Sequence, residues 1–127
     1  MPHMPSVLVI EDEPALRRML TFTLRDAGFD VRTAANGRAG LEDVSIRVPD
    51  VVVLDLEMPV MDGRAFFRVF RERGYRAPVL ILSAYGARRA ARELHAEAAV
   101  QKPFRADDPI EKLERLVAGD SERLAEA

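Results

Sequence analysis

Three short apolar segments constrain the fold of this chain more than any other feature. Residues 7–10, 51–54 and 79–82 contain only Val, Leu and Ile. Uninterrupted runs of this kind are typical of strands that are buried on both faces. Amphipathic segments separate them, so strands and helices alternate along the chain. This order predicts a parallel sheet with helices on both of its faces.

Two weaker segments complete five strand–helix units. Residues 29–34 alternate apolar and polar side chains, which predicts a strand near an edge of the sheet, and residues 98–101 are the weakest predicted strand. Either Asp12 or Glu13 is expected to cap the first helix, before Pro14. The helices are predicted at about 14–27, 38–46, 63–73, 86–94 and 109–117.

The last helix carries a start signal of its own. Asp108, Pro109 and Glu111 form a capping-box arrangement, which predicts that Asp108 caps the helix and Pro109 begins it. Gly119 is expected to interrupt it, leaving a polar tail at residues 119–127. The inward face is predicted to consist of Ile110, Leu113, Leu116 and Val117.

Length and composition place the chain among single soluble domains. It has 127 residues, of which 48% are hydrophobic, enough for one core. Its 19 basic and 21 acidic residues nearly balance, which argues against direct nucleic-acid binding. Without cysteine it has no disulfide or thiolate site, and no apolar run approaches the ~20 residues of a membrane span. We therefore expect a cytoplasmic domain at residues 6–118, with residues 1–5 as an extension or a tag scar.

The ends of the predicted strands carry the polar side chains of greatest interest. Glu11 and Asp12 follow the first strand, Asp55 ends the third, Ser83 ends the fourth and Lys102 follows the fifth. Parallel strands present their carboxyl ends at one edge of the sheet, where ligands of open α/β sheets bind. The sequence therefore predicts that three carboxylates, a hydroxyl and an ammonium group meet at this edge.

Such a cluster suits phosphoryl transfer to a carboxylate. Clustered carboxylates repel one another and raise one another's pKa, a penalty that a divalent cation removes. Mg²⁺ fits one or two carboxylates together with water and phosphate. Asp55 is placed to act as the nucleophile and to form an acyl phosphate. Ser83, Lys102 and the metal would then bind the phosphoryl oxygens.

These residues resemble those of the receiver domain of two-component response regulators. The resemblance covers nearly all of residues 5–118. Each motif is weak evidence alone, but all four in order at the ends of the first, third, fourth and fifth strands are specific. The motifs are Glu11-Asp12, Asp55 with the tail Met58-Pro59-Val60-Met61-Asp62-Gly63, Ser83-Ala84, and Lys102-Pro103-Phe104.

The resemblance implies a flavodoxin-like (βα)5 three-layer sandwich with strand order 2-1-3-4-5. It implies that a histidine kinase or a histidine phosphotransfer protein phosphorylates Asp55. Asp12 would ligate Mg²⁺ directly, Glu11 through water, and Glu57 through its backbone carbonyl. The phosphate-binding and switch residues would be Ser83, Ala84 and Lys102, and the bond before Pro103 would be cis.

The chain departs from the family pattern on one face. The family commonly has Tyr or Phe where this chain has Ala99, so the usual aromatic relay has no ring to move. The interval between Ser83 and Lys102 is a few residues shorter than usual. His95 stands where the family often has a helix-ending glycine. We expect ordinary phosphoacceptor chemistry combined with an altered output face on the fourth helix, fifth strand and fifth helix.

Two other functions remain open at this point. One is a phosphorylation-independent interaction module on a receiver fold, and the other is a small phosphatase with an aspartate nucleophile. For the receiver function the partners would be the kinase or phosphotransfer protein and an unidentified downstream effector, with a homodimer left open and no membrane contact. A receiver would be a phosphoacceptor with slow autodephosphorylation, not an enzyme. His3 and His95 are assigned no role at the acidic edge.

Overall fold

The computed structural model describes residues 4–124, and in it the five predicted strands form one sheet. Residues 1–3 and 125–127, and with them His3, lie outside the described residues. The strands are β1 (Ser6–Ile10), β2 (Asp30–Ala34), β3 (Val51–Asp55), β4 (Val79–Ser83) and β5 (Ala98–Gln101).

One helix follows each strand. The helices are α1 (Pro14–Asp26), α2 (Gly37–Ile46), α3 (Gly63–Glu72), α4 (Ala87–Leu94) and α5 (Asp107–Val117). All five lie where the hydrophobic periodicity predicted them, with ends displaced by a residue or two.

The sheet is entirely parallel, with strand order β2-β1-β3-β4-β5. This confirms the predicted fold and places β2 at an edge, as its alternating pattern indicated. β1, β3 and β4 are buried along their whole length. Because their carboxyl ends share one edge, the residues that follow them are brought together.

Each face of the sheet has its own apolar core. On one face, Leu8 and Ile10 of β1 pack in a cluster with side chains of α2, α3 and α4. On the other face, Val7 and Val9 pack in a cluster with side chains of α1 and α5. The alternation of side chains along each strand therefore divides the helices into two layers around the sheet.

The beginning of α5 differs from its prediction. The helix starts at Asp107, with Ala106 at the N-cap position and no capping side chain. The predicted capping box at Asp108 is thus wrong, because Asp107 and Asp108 both lie within the first turn. There the two carboxylates interact favourably with the helix dipole. The missing N–H of Pro109 costs little, because first-turn N–H groups have no partner within the helix.

The inward face of α5 is also smaller than predicted. Leu113 and Leu116 are buried, but Val117 is 42% exposed because the helix ends there and the chain turns away at Gly119, whose φ is 94°. The following residues return to the fold, and Leu124 is 8% exposed. The chain beyond Gly119 therefore buries an apolar side chain that the prediction of a polar tail did not include.

A glycine holds the start of α3 against the end of β3. The Gly63 N–H donates to the Leu56 carbonyl oxygen at 3.2 Å. A Cβ at this position would overlap the Asp55 carbonyl oxygen and lie 2.8 Å from the Leu56 Cα. Both are backbone atoms that cannot rotate aside, so a side chain here would displace the strand end that carries Asp55.

We therefore predict that Gly63→Ala lowers the free energy of unfolding by about 2 kcal/mol, in the range typical of overpacking. Urea unfolding followed by circular dichroism measures the change. Arg68→Ala on the exposed side of α3 is the control and should shift stability by less than about 0.5 kcal/mol. Equal stability of the Gly63→Ala variant and the wild type would contradict the close approach.

Candidate functional site

Three carboxylates meet at the carboxyl edge of the sheet, as predicted. Glu11 follows β1 and is fully buried, Asp55 ends β3 and is 1% exposed, and Asp12 is partly exposed. One oxygen from each lies within 4.8 Å of those of the other two. The parallel register brings these side chains together although Asp55 is far from Glu11 in the sequence.

Lys102 joins this cluster from the loop after β5. Its Nζ lies 3.0 Å from Glu11 Oε1 and 3.2 Å from Asp55 Oδ1. The Lys102 N–H donates to the Ser83 carbonyl oxygen at 2.8 Å, which fixes the backbone of this residue at the end of β4. The Lys102–Pro103 peptide bond is cis.

The burial of these groups changes their protonation. Desolvation, and then the charge of Glu11, raises the pKa of Asp55 to about 7, although Lys102 opposes the shift. Burial lowers the pKa of Lys102, but its contacts with Glu11 and Asp55 raise that pKa above its usual value overall. The ammonium group is therefore held in its charged form, while one negative charge of the carboxylate cluster is disfavoured.

The cluster has the features of a divalent-cation site. Asp55 Oδ2 is buried and accepts no hydrogen bond from any residue between 4 and 124. A buried carboxylate oxygen without a partner is costly, and a bound cation would satisfy it. Three carboxylates, one of them accessible, form the all-oxygen donor set that Mg²⁺ prefers. The residues present therefore fit the predicted metal, whose ligand assignment remains a prediction.

Ser83 and Ala84 lie beside the cluster, but their donor groups are hydrogen-bonded to the carboxylate of Glu57. The Ser83 hydroxyl donates to Glu57 Oε2 at 2.8 Å, and the Ala84 N–H donates to Glu57 Oε1 at 3.0 Å. The same hydroxyl lies 3.0 Å from the Tyr85 carbonyl oxygen and accepts from the Tyr85 N–H. A hydroxyl has one proton and cannot donate to both acceptors, and the charged Glu57 oxygen is the nearer and stronger of the two.

Two contributors to this site were not predicted from the sequence. In the receiver interpretation Glu57 was expected to contribute its backbone carbonyl, yet its side chain bridges the Ser83 hydroxyl and the Ala84 N–H. Arg17 of α1 donates to the Glu11 carbonyl oxygen at 2.8 Å and to that of Asp12 at 3.3 Å, and so supports the acidic loop. A basic residue one turn into the helix after the acidic loop is the only sequence signal that points to this contact.

The model of the family described as "Response regulator receiver domain" matches residues 7–114. This match spans most of the chain and includes residues of all five strands and the acidic edge. The chain therefore belongs to the response regulator receiver domain family and is a receiver domain of the two-component type.

A longer regulator is among the chain's relatives. The chain is 34% identical over 132 aligned residues to the alkaline phosphatase synthesis transcriptional regulatory protein SphR of Synechococcus elongatus. The alignment covers 94% of this chain and 51% of that protein. The chain thus spans about half the length of this relative, or less for others such as NtrC of Escherichia coli.

Two solved structures share the fold over nearly their whole length. The receiver domain of the Francisella response regulator 1452 has a TM-score of 0.86 and 26% identity, with 91% of this chain and 98% of that chain covered. The chemotaxis response regulator CheY4 of Vibrio cholerae has a TM-score of 0.82 and 31% identity, with 90% and 99% covered.

Membrane-spanning helices are absent from the part of the chain that the structure describes, since none of its helices combines the required length and apolar character.

The raised pKa of Asp55 predicts how stability depends on pH in metal-free protein. The Asp55 carboxyl has a pKa of 3.8 in the unfolded chain and about 7 in the folded protein. The stability gained because the folded carboxyl keeps its proton is therefore complete below pH 3.8 and is lost as the pH rises through 7. Asp55→Asn removes this loss. We expect it to stabilise the protein by on the order of 2 kcal/mol more at pH 8 than at pH 5.

Urea unfolding at both pH values, in the presence of EDTA, measures this difference. Asp62→Asn is the matched control, because Asp62 is an exposed N-cap whose acceptor role asparagine preserves. That variant should retain the pH dependence of the wild type. An Asp55→Asn effect of the same size at pH 5 and pH 8 would contradict the raised pKa.

Proposed function

We propose that this receiver domain accepts a phosphoryl group on Asp55 in a Mg²⁺-dependent reaction. The observation that carries the proposal is the buried Asp55 carboxylate, whose Oδ2 has no hydrogen-bond partner among residues 4–124 and which lies between two acidic residues and Lys102. The donor would be a phosphohistidine on a histidine kinase or a histidine phosphotransfer protein. We propose residues 6–118 as the unit that performs this reaction in the cytoplasm.

The proposed transfer exchanges one bond to phosphorus for another. A carboxylate oxygen of Asp55 attacks the phosphorus atom, the new P–O bond forms, and the P–N bond to the donor imidazole breaks. The imidazole keeps the bonding electron pair and takes up a proton. The Lys102 ammonium, 3.2 Å from Asp55 Oδ1, is placed to neutralise charge on the transferred group.

Glu11, Asp12, Asp55 and the backbone carbonyl of Glu57 would hold Mg²⁺. When bound, the ion would neutralise the phosphoryl oxygens and orient the donor. Without the ion, desolvation by burial and then the charge of Glu11 raise the pKa of Asp55, and Lys102 opposes that rise only in part. Phosphorylation should therefore require the cation, and slow hydrolysis of the acyl phosphate would reset the domain.

Ser83 and Ala84 are the proposed donors to the transferred phosphoryl group. Both of their donor groups are bonded to the Glu57 carboxylate. Phosphoryl oxygens need the same donors, and two anions cannot share them without strong repulsion. The Glu57 side chain is exposed and must therefore move towards solvent before the phosphoryl group can bind there.

Incubation with Mg²⁺ and acetyl phosphate, followed by intact-protein mass spectrometry, tests the proposed acceptor. We expect one phosphoryl adduct on the wild type and none on Asp55→Asn, because the amide is not a nucleophile of comparable strength. EDTA should abolish the adduct on the wild type. Unphosphorylated wild-type protein, or an undiminished adduct on Asp55→Asn, would refute the assignment.

Removal of the Glu57 carboxylate should accelerate phosphorylation. We expect Glu57→Ala to raise the initial rate with acetyl phosphate about fivefold to tenfold, since the donors no longer have to break a hydrogen-bonded contact with a charge, worth about 1 kcal/mol. Glu57→Gln keeps an acceptor without the charge and should be intermediate. Glu13→Ala is the control, since Glu13 is exposed and its side chain makes no capping bond. An unchanged rate in Glu57→Ala would show that the contact does not compete with phosphate.

A further inference from the structure

We propose that Arg17 of α1 is a positioning residue for the cation site and strengthens Mg²⁺ binding in spite of its own positive charge. It acts through the backbone of residues 11–13, the loop that joins β1 to α1. This role rests on the proposed function, because the cation that it serves belongs to that reaction.

One nitrogen of the Arg17 guanidinium binds two successive peptide groups of this loop. Nη1 donates to the Glu11 carbonyl oxygen at 2.8 Å and to that of Asp12 at 3.3 Å. Arg17 is itself fixed, because its backbone N–H donates to the Glu13 carbonyl oxygen at 2.9 Å in the first turn of α1. The helix therefore holds the loop in one orientation.

The orientation of these carbonyl groups determines where the neighbouring N–H groups point. In a planar trans peptide unit the C=O and N–H bonds point in opposite directions. The Asp12 carbonyl group accepts from Arg17, and the Glu13 N–H of the same peptide unit donates to Glu11 Oε2 at 3.1 Å. Arg17 thus directs this N–H towards the Glu11 carboxylate, which is fully buried and needs a donor.

The Glu11 carboxylate is therefore held from both sides. Its Oε2 accepts from the Glu13 N–H, and its Oε1 lies 3.0 Å from Lys102 Nζ. Asp12 is partly exposed, so its carboxylate is the one in this loop that is open to a cation with bound water. Loss of the Arg17 contacts would free the peptide groups that keep these two carboxylates in different positions.

Charge alone predicts the opposite effect of this arginine. A guanidinium beside the loop repels a divalent cation, so its removal should tighten Mg²⁺ binding if Arg17 acted only through its charge. Arg18 carries the same charge at the next position, is exposed, and forms no hydrogen bond to this loop within residues 4–124. The two arginines therefore allow positioning and charge to be measured separately.

Calorimetric titration of the metal-free full chain with Mg²⁺ tests the role of Arg17. We expect Arg17→Ala to weaken Mg²⁺ binding about tenfold, the low end of the loss typical when a group that orients a metal ligand is removed. Arg17→Lys keeps the charge and one donor and should be intermediate. Arg18→Ala should bind Mg²⁺ as tightly as the wild type or slightly more tightly. Unchanged or tighter binding in Arg17→Ala overturns the positioning role, because loss of charge alone gives that result.

Amide hydrogen exchange in the presence of EDTA gives a second readout that needs no metal. The Glu13 amide should exchange about fivefold faster in Arg17→Ala than in the wild type, because its peptide unit is no longer held against Glu11. Arg18→Ala should leave this exchange unchanged, and Arg17→Lys serves if Arg17→Ala folds poorly. Equal exchange in the wild type and in both Arg17 variants overturns the role of the peptide groups.

The metal titration also separates this role from the phosphoacceptor function. If the variants show the expected order of Mg²⁺ affinities but the wild type forms no phosphoryl adduct, the role of Arg17 is supported and the proposed function is refuted. Absence of Mg²⁺ binding by the wild type overturns both.

Discussion

Lys102 lies between two carboxylates that are almost fully buried, and the acidic edge of the sheet depends on this contact. Its ammonium group is 3.0 Å from Glu11 and 3.2 Å from Asp55. A single cation does not offset the burial of both carboxylates, so the pKa of Asp55 rises to about 7. The remaining imbalance is what makes a divalent cation and a transferred phosphoryl group chemically suitable here. The parallel sheet supplies the geometry, because only its register brings the ends of β1, β3 and β5 to one edge.

Two acidic side chains outside this cluster make contacts that the sequence did not predict. Glu57 accepts hydrogen bonds from Ser83 and Ala84, and Glu122 accepts from Ala99 at the edge of β5. In both cases the carboxylate of a long side chain accepts a hydrogen bond from a backbone N–H group of another segment. The resting structure is thereby stabilised at the proposed phosphate donors and, independently, at the outer face of β5. The Glu57 contact lies at the carboxyl end of β4, and the Glu122 contact lies at Ala99 of β5. Single substitutions can therefore separate the two contacts.

Local sequence patterns predicted the elements well and their ends less well. The apolar runs located β1, β3 and β4, since strands buried on both faces are apolar along their length and carry polar residues only at an end. The capping box at Asp108 was wrong, because acidic residues and proline are all favourable within a first helical turn and so do not identify which residue begins it. Val117 was predicted to face inward, but periodicity does not reveal that the helix ends there.

The sequence by itself determined the alternation of strands and helices, the family, and the gathering of Glu11, Asp12, Asp55 and Lys102, because a parallel sheet necessarily aligns the ends of its strands. The tertiary structure decided which donors the exposed or distant carboxylates would bind. Glu57 has a flexible side chain that could face water, and Glu122 contacts Ala99 only because the chain turns at Gly119 and returns along β5. Such contacts depend on distances across the folded surface and on competition with water, neither of which periodicity or spacing encodes.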